Sequence, residues 1–203
     1  MKKISLAIMV LAVMLFSTNG FSQGAPKPIF GAKGGFNFAN IGGDTDNKLK
    51  TAIHLGVYSE VFFDYFLMLQ AELLLSQQGH AADLSNSLSL WYFDLPIMAR
   101  YNLGYNFNVQ AGFQIGVLLS AKSKSTDSFS GQEITIDVKD QFKGTDFGLP
   151  IGVGYEFWDR KLNATLRYII PLTNISTFTG VGEKRTNSVL QASVGIMLFR
   201  INE

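Results

Sequence analysis

The chain has 203 residues, 47% of them hydrophobic and 16% charged, with a formal net charge of +1. That charge content lies well below the roughly 25% of a soluble domain, and near-neutrality gives nucleic acid no electrostatic handle. Cysteine is absent, which excludes disulfides, thiol nucleophiles, zinc ribbons and a lipidated N-terminal Cys together.

The chain opens with Lys2 and Lys3, an apolar run from Ile4 to Phe16, and small residues Gly20 and Ser22 before Gln23. This is the three-part layout of a secretory signal peptide, and its core falls short of the about 20 residues that span a bilayer. Residues 1–22 are therefore expected to be a signal peptide, 23–28 a periplasmic tether, and 29–203 the folded domain. Loss of the leader removes two Lys and no acid.

After the leader, hydrophobicity alternates with period two. Phe107, Val109, Ala111, Phe113, Ile115, Val117 and Leu119 are interleaved with Asn108, Gln110, Gly112, Gln114 and Gly116, Leu118 being the exception. Such runs predict eight strands, at about 29–39, 51–63, 66–78, 88–101, 106–121, 143–157, 162–173 and 187–199. Most reach the about 9–11 residues that cross a bilayer at a tilt. The connections alternate between tight turns near residues 64, 103 and 159 and long polar segments at 40–50, 79–87, 122–142 and 174–186. Short periplasmic turns and long outer loops are the pattern of an outer-membrane barrel. The predicted fold is an all-β, eight-stranded antiparallel up-and-down transmembrane barrel.

A soluble barrel also alternates, but it turns its charged face outward. Here one face is free of charge apart from Lys143 at a loop edge. The other holds Lys33, His54, Glu60, Glu72, Asp94, Arg100, Asp146, Glu156 and Arg167, with Gln70, Gln110, Gln114 and Gln191. A basic residue facing the bilayer midplane costs about 2–4 kcal/mol, so the clean face is the lipid face. The charged residues then line the lumen. Arg167 is the expected centre of a charge network, with Glu72 and Asp94 as its partners. Phe63, Tyr65, Tyr101, Phe107, Tyr155, Phe157 and Trp158 gather at the short turns, while Trp91 and Phe93 lie toward the long loops. Two aromatic girdles are expected at the two interfaces. Pro96, Pro150 and Pro171 interrupt strands on the inward phase, and bulges or kinks are expected there.

GAKGGFNFANI (31–41), LQAELLLSQQG (69–79), FDLPIMARYN (93–102), GFQIGVLLSAK (112–122) and TDFGLPIGVGYEF (145–157) resemble the PorT-like, porin-family outer-membrane β-barrel proteins of Bacteroidota. The resemblance implies an eight-stranded outer-membrane barrel and matches a family Pro to Pro96. It implies no single activity, one branch being linked to protein secretion and gliding. The chain departs from barrels with an aromatic last residue, since Arg-Ile-Asn-Glu follows Phe199.

The residues offer little chemistry. His54 and His80 are the two histidines, and neither has the spacing to a nucleophile and an acid that hydrolysis needs. Asp44-Thr-Asp46-Asn47 starts like a calcium loop but lacks the following Gly and closing Glu. Gly31, Gly34 and Gly35 are not followed by a GK[ST] phosphate motif. No catalytic, cofactor or metal residue is expected. The reading is a non-enzymatic outer-membrane barrel, in contact with lipid, with a polar lumen and outer loops for envelope or surface partners. A narrow porin-like passage for small solutes or ions is the alternative.

Overall fold

Side chains that alternate in sequence alternate across a pleat, and here the two faces meet different surroundings. The computed structural model describes residues 28–42, 48–64, 66–81, 86–126, 132–177 and 185–201. The expected signal peptide, Asp44–Asn47 and Tyr65 lie outside them. The strands are β1 (Ile29–Gly42), β2 (Lys50–Phe62), β3 (Leu67–Ala81), β4 (Asn86–Gly104), β5 (Phe107–Thr126), β6 (Glu133–Asp137), β7 (Thr145–Phe157), β8 (Leu162–Pro171) and β9 (Thr186–Arg200). All pairings are antiparallel, and β1 joins β9 while β4 joins β5. Eight strands thus close on themselves, in the order β1, β2, β3, β4, β5, β7, β8, β9. Closure pairs each strand on both sides, as lipid requires.

The facing is clear on β2. Ile53, Leu55 and Val57 are 52%, 66% and 48% exposed, whereas His54 and Tyr58 between them are buried. The same holds on β9, where Val194, Ile196 and Leu198 are exposed and Gln191 and Ser193 are buried. A polar interior inside an apolar outer wall is the inverse of a soluble protein.

The short connections need unusual backbone. Tyr105 and Asn106 both have positive φ, 50° and 67°, as a tight hairpin turn demands. Trp158, Asp159 and Arg160 run consecutively at 49°, 52° and 69°. The first and last described residues come together at this side too, where the Ile201 amide donates to the Pro28 carbonyl at 3.2 Å.

Two expectations are corrected. The prolines make gaps in the ladder, not bulges. The β3–β4 register passes from Ala71↔Ile97 to Leu74↔Asp94 across Pro96 without a shift. The β5–β7 register likewise passes from Ala111↔Ile151 to Gln114↔Gly148 across Pro150, and Pro171 ends β8. Each ring removes one donor and the pleat continues past it. The register shifts occur elsewhere, at Phe30/Gly31, Trp91/Tyr92 and Asn102/Gly104.

The second correction concerns 122–142, expected to be a long polar connection without strand. β5 continues to Thr126 and pairs with β6 from Lys122↔Asp137 to Thr126↔Glu133. Lys124 Nζ reaches Glu133 Oε2 at 2.9 Å across this exposed hairpin. Ile134 and Ile136 alternate with Glu133, Thr135 and Asp137, but the run is five residues long and exposed on both faces, so backbone pairing and not burial of a face holds it.

Candidate functional site

The interior is stacked in tiers. Nearest the short turns, Arg100 on β4 donates through Nη2 to Glu156 on β7 at 3.0 Å and through Nη1 to Gln70 at 2.9 Å, and it pairs with Glu60 on β2. Arg160 folds in from the β7–β8 turn, its Nε 2.9 Å from Glu156 Oε2 and its guanidinium 4.5 Å from the Phe62 ring centre.

At mid-height the centre is Glu72 on β3. Arg167 on β8 donates through Nη1 to Oε2 at 3.0 Å and through Nη2 to Oε1 at 2.8 Å. β3 and β8 are diametrically opposed in the strand order, so this bidentate pair crosses the whole barrel. Lys33 on β1 adds a third contact to Glu72 Oε1 at 3.0 Å, and Gln110 accepts from Arg167 at 2.8 Å. A carboxylate buried this deeply is stable as an ion only with such compensation.

Above lies a neutral polar layer. Asn37 donates to Ser76 at 2.9 Å, Gln191 donates to Asn37 at 3.1 Å, and His54 Nε2 lies 2.9 Å from Ser193 Oγ. Higher still, Gln78 Nε2 donates to Asp94 at 3.0 Å, and Thr173 donates to Asp146 at 2.6 Å. The outermost layer is apolar: Ile41, Leu88, Leu90, Tyr92, Leu118 and Ala121 pack with Phe142 and Ile175, which come from the outer segments.

Of the eight charged residues read from the sequence, Lys33, Glu72 and Arg167 meet in one cluster and Glu60, Arg100 and Glu156 in another. Asp94 and Asp146 join neither, so the expected Arg167–Asp94 contact is corrected. Asp94 lies on β4 at a higher level, where Gln78 reaches it first. Arg160 was missed because it sits in a turn, where alternation assigns no face. The apolar outer layer was missed too, although Leu118 out of phase and Leu88, Leu90 and Tyr92 on the inward phase of β4 were its traces in the sequence.

Among the aromatics, Phe63, Tyr101, Phe107, Phe157 and Trp158 are exposed at the short-turn end. Tyr155 links two of them, with ring centres 4.7 Å from Phe107 and 4.6 Å from Phe157. Trp91 and Phe93 are half-buried on the outward side of β4.

The chain resembles the solved structure of Ail, the attachment invasion locus protein of Yersinia pestis, with TM-score 0.52 and 10% identity over 86% of this chain and 99% of that one. Neisserial surface protein A (NspA) gives TM-score 0.52 and 9% identity over 82% and 96%. Ail in complex with the heparin analogue sucrose octasulfate gives TM-score 0.50 and 10% identity over 85% and 99%. At such identity the likeness is one of fold. No curated protein matches by sequence. A family model described as outer membrane protein beta-barrel domain matches residues 21–177. Most of the closed barrel falls within that match, so the chain belongs to the outer membrane protein β-barrel domain family and its place is the outer membrane.

Proposed function

We propose that this is a non-enzymatic barrel whose lumen is filled by its own side chains, and that it acts through its outer segments on envelope or surface partners. The carrying observation is the Glu72–Arg167 pair, which bridges opposite walls at mid-height. The Arg100 cluster below and the apolar layer above add two further levels of packing. Eight strands leave room for little beyond side chains. The His54–Ser193 pair supports the non-enzymatic reading, because His54 Nδ1 has no hydrogen-bond partner and so no orienting acid.

The outer hairpin β5–β6 supports a contact role. It rises past the barrel and exposes Ile134 and Ile136, 51% and 57% accessible. Ail has been solved with a heparin analogue. Here the hairpin alternates cation and acid, Lys122 opposite Asp137 and Lys124 on Glu133, which suits a protein surface better than a polyanion. The PorT-like resemblance of the sequence, with one branch linked to protein secretion and gliding, is in keeping with a protein partner at the envelope.

A narrow passage draws support from one wall. Asn108, Gln110 Nε2 and Gln114 Oε1 form an inward row of buried polar atoms without hydrogen-bond partners on β5, a place for a file of water. Planar-bilayer recording separates the readings. The filled barrel should show no steady conductance, and any leak made by Arg167→Ala should favour cations. A large, steady wild-type conductance indifferent to Arg167→Ala overturns the filled-lumen reading.

A further inference from the structure

We propose that the outer end of the lumen holds a hard divalent cation, with Ca²⁺ the fitting species, between Asp94 and Asp146. The two acids flank Gly116 in one row of three neighbouring strands, Asp94↔Gly116 across β4–β5 and Gly116↔Asp146 across β5–β7. Gly116 has no side chain to part them. A Cβ placed there would stand 2.6 Å from Asp94 Oδ1, 3.3 Å from the Tyr92 ring and 3.7 Å from Asp146 Cβ, so the Asp94 carboxylate, the Tyr92 ring and the root of the Asp146 side chain converge on Gly116.

Among the described residues, nothing cationic meets them. None of the ion pairs among the described residues includes either acid. Lys33 and Arg167 are engaged by Glu72, and Lys50 at the rim donates to the Leu88 carbonyl and to Ser89. The hydrogen bonds to the two acids come from neutral groups, Gln78 and Thr173, with Ser76 and Gln114 beside Asp94 and Asn187 beside Asp146.

Independent of the acids, three oxygens at this end of the lumen are buried and lack a hydrogen-bond partner: Tyr92 Oη, Gln114 Oε1 and Asn187 Oδ1. Gln114 hydrogen-bonds Asp94 and Asn187 hydrogen-bonds Asp146, and the Tyr92 ring stands over Gly116 between the two acids. Burying such atoms unsatisfied is costly. Two carboxylates with three neutral oxygens form the donor set of a hard cation, and a charge of +2 matches theirs. Among the described residues no three His, Cys, Asp or Glu gather, which sets the site apart from a transition-metal centre. Asp94 is buried whereas Asp146 is half-buried, so the ion enters past Asp146. Once bound, it ties β4, β5, β7 and β9 together beneath the outer segments.

The test uses the full-length mature barrel, folded in detergent and stripped with EDTA. Calorimetric titration with CaCl₂ should give one site, and Ca²⁺ should raise the thermal midpoint. Tb³⁺ should bind in its place, with emission excited through tyrosine that Ca²⁺ quenches by displacement and Tyr92→Phe weakens. Asp146→Asn should weaken Ca²⁺ at least tenfold, while Asp159→Asn in the exposed turn leaves it unchanged. Absence of heat and of a midpoint shift in the wild type at millimolar Ca²⁺ overturns the proposal, and means that the acids share protons or water instead. Undiminished binding by folded Asp146→Asn also overturns it, placing the ion on the outer segments. Should Asp146→Asn not fold, undiminished Tb³⁺ emission from Tyr92→Phe has the same force.

Discussion

Gly152 on β7 lies against the root of Arg167 on β8, so close that a methyl group there would stand 2.9 Å from Arg167 Cα and 3.1 Å from its Cβ. The contact is with backbone, so no rotamer change relieves it. Gly152→Ala should push β8 outward and lengthen the reach of Arg167 to Glu72. Overpacking of this kind costs about 1–3 kcal/mol. Urea unfolding of the vesicle-reconstituted barrel measures it, and an unchanged midpoint refutes the close approach.

Arg167→Ala removes the bidentate partner of a buried carboxylate and leaves Lys33 as its cation among the described residues. Breaking a buried pair from one side costs about 3–5 kcal/mol, more than the pair itself contributes. The triple change Lys33→Met, Glu72→Met and Arg167→Met, which strands no charge, should therefore be more stable than Arg167→Ala. If it is as damaged as Arg167→Ala, the cost lies in packing and not in the stranded charge.

The outer wall should respond to charge by depth. Val153, 52% exposed, lies well inside β7, whereas Leu198, 59% exposed, lies near the short-turn end of β9. Val153→Lys should cost about 2–4 kcal/mol and Leu198→Lys about 0–1, because the long Lys stem reaches the interface. Equal costs would mean that the membrane sits elsewhere along the strands.

The turn after β7 carries a different strain. Asp159 holds φ at 52° with left-handed neighbours on both sides. A β-carbon costs about 1–2 kcal/mol in that region and glycine avoids it. Asp159→Gly should raise the unfolding midpoint, while Asp159→Val, with its branched β-carbon, should lower it. A gain from Val would show that the turn is not left-handed in solution.

What the sequence made legible follows from which groups two solvents sort. Lipid admits no charge on the outer face, so Ile53, Leu55 and Val57 against His54 and Tyr58 declared the facing of β2 without any structure. The closed pairing of eight strands followed from the same pattern. Contacts across the lumen were another matter. Lys33, Glu72 and Arg167 could be set at similar height, but Asp94 could not be told from them, because a register error of two residues exchanges one tier for the next. Arg160 sits where the chain turns and alternation assigns no face, while the Ile134–Ile136 alternation of β6 spans five residues with both faces in water and marks no buried side. The orphan oxygens of Tyr92, Gln114 and Asn187 became visible only with the walls in place.

The outer hairpin gives the most direct handle on what the protein does. β6 pairs with the far end of β5, and below Lys122↔Asp137 the chain is anchored separately: Val138 N donates to Ala121 O at 3.0 Å, and Lys139 Nζ donates to Leu119 O at 2.8 Å. Phe142 then enters the apolar layer. Replacing residues 123–136 by Asn-Gly joins Lys122 to Asp137 through a two-residue turn suited to antiparallel strands. All of these anchors survive the replacement. The shortened barrel should still migrate differently on gels when boiled, and its unfolding free energy should change by about 1 kcal/mol at most, since the side chains of 133–136 are exposed and those of 123–126 are exposed or half-buried. Its cross-links to envelope neighbours in whole cells, mapped against the wild type, should diminish. Loss of folding would show that the hairpin is structural. A folded, shortened barrel with an unchanged cross-link map would move the contact role to the other outer segments.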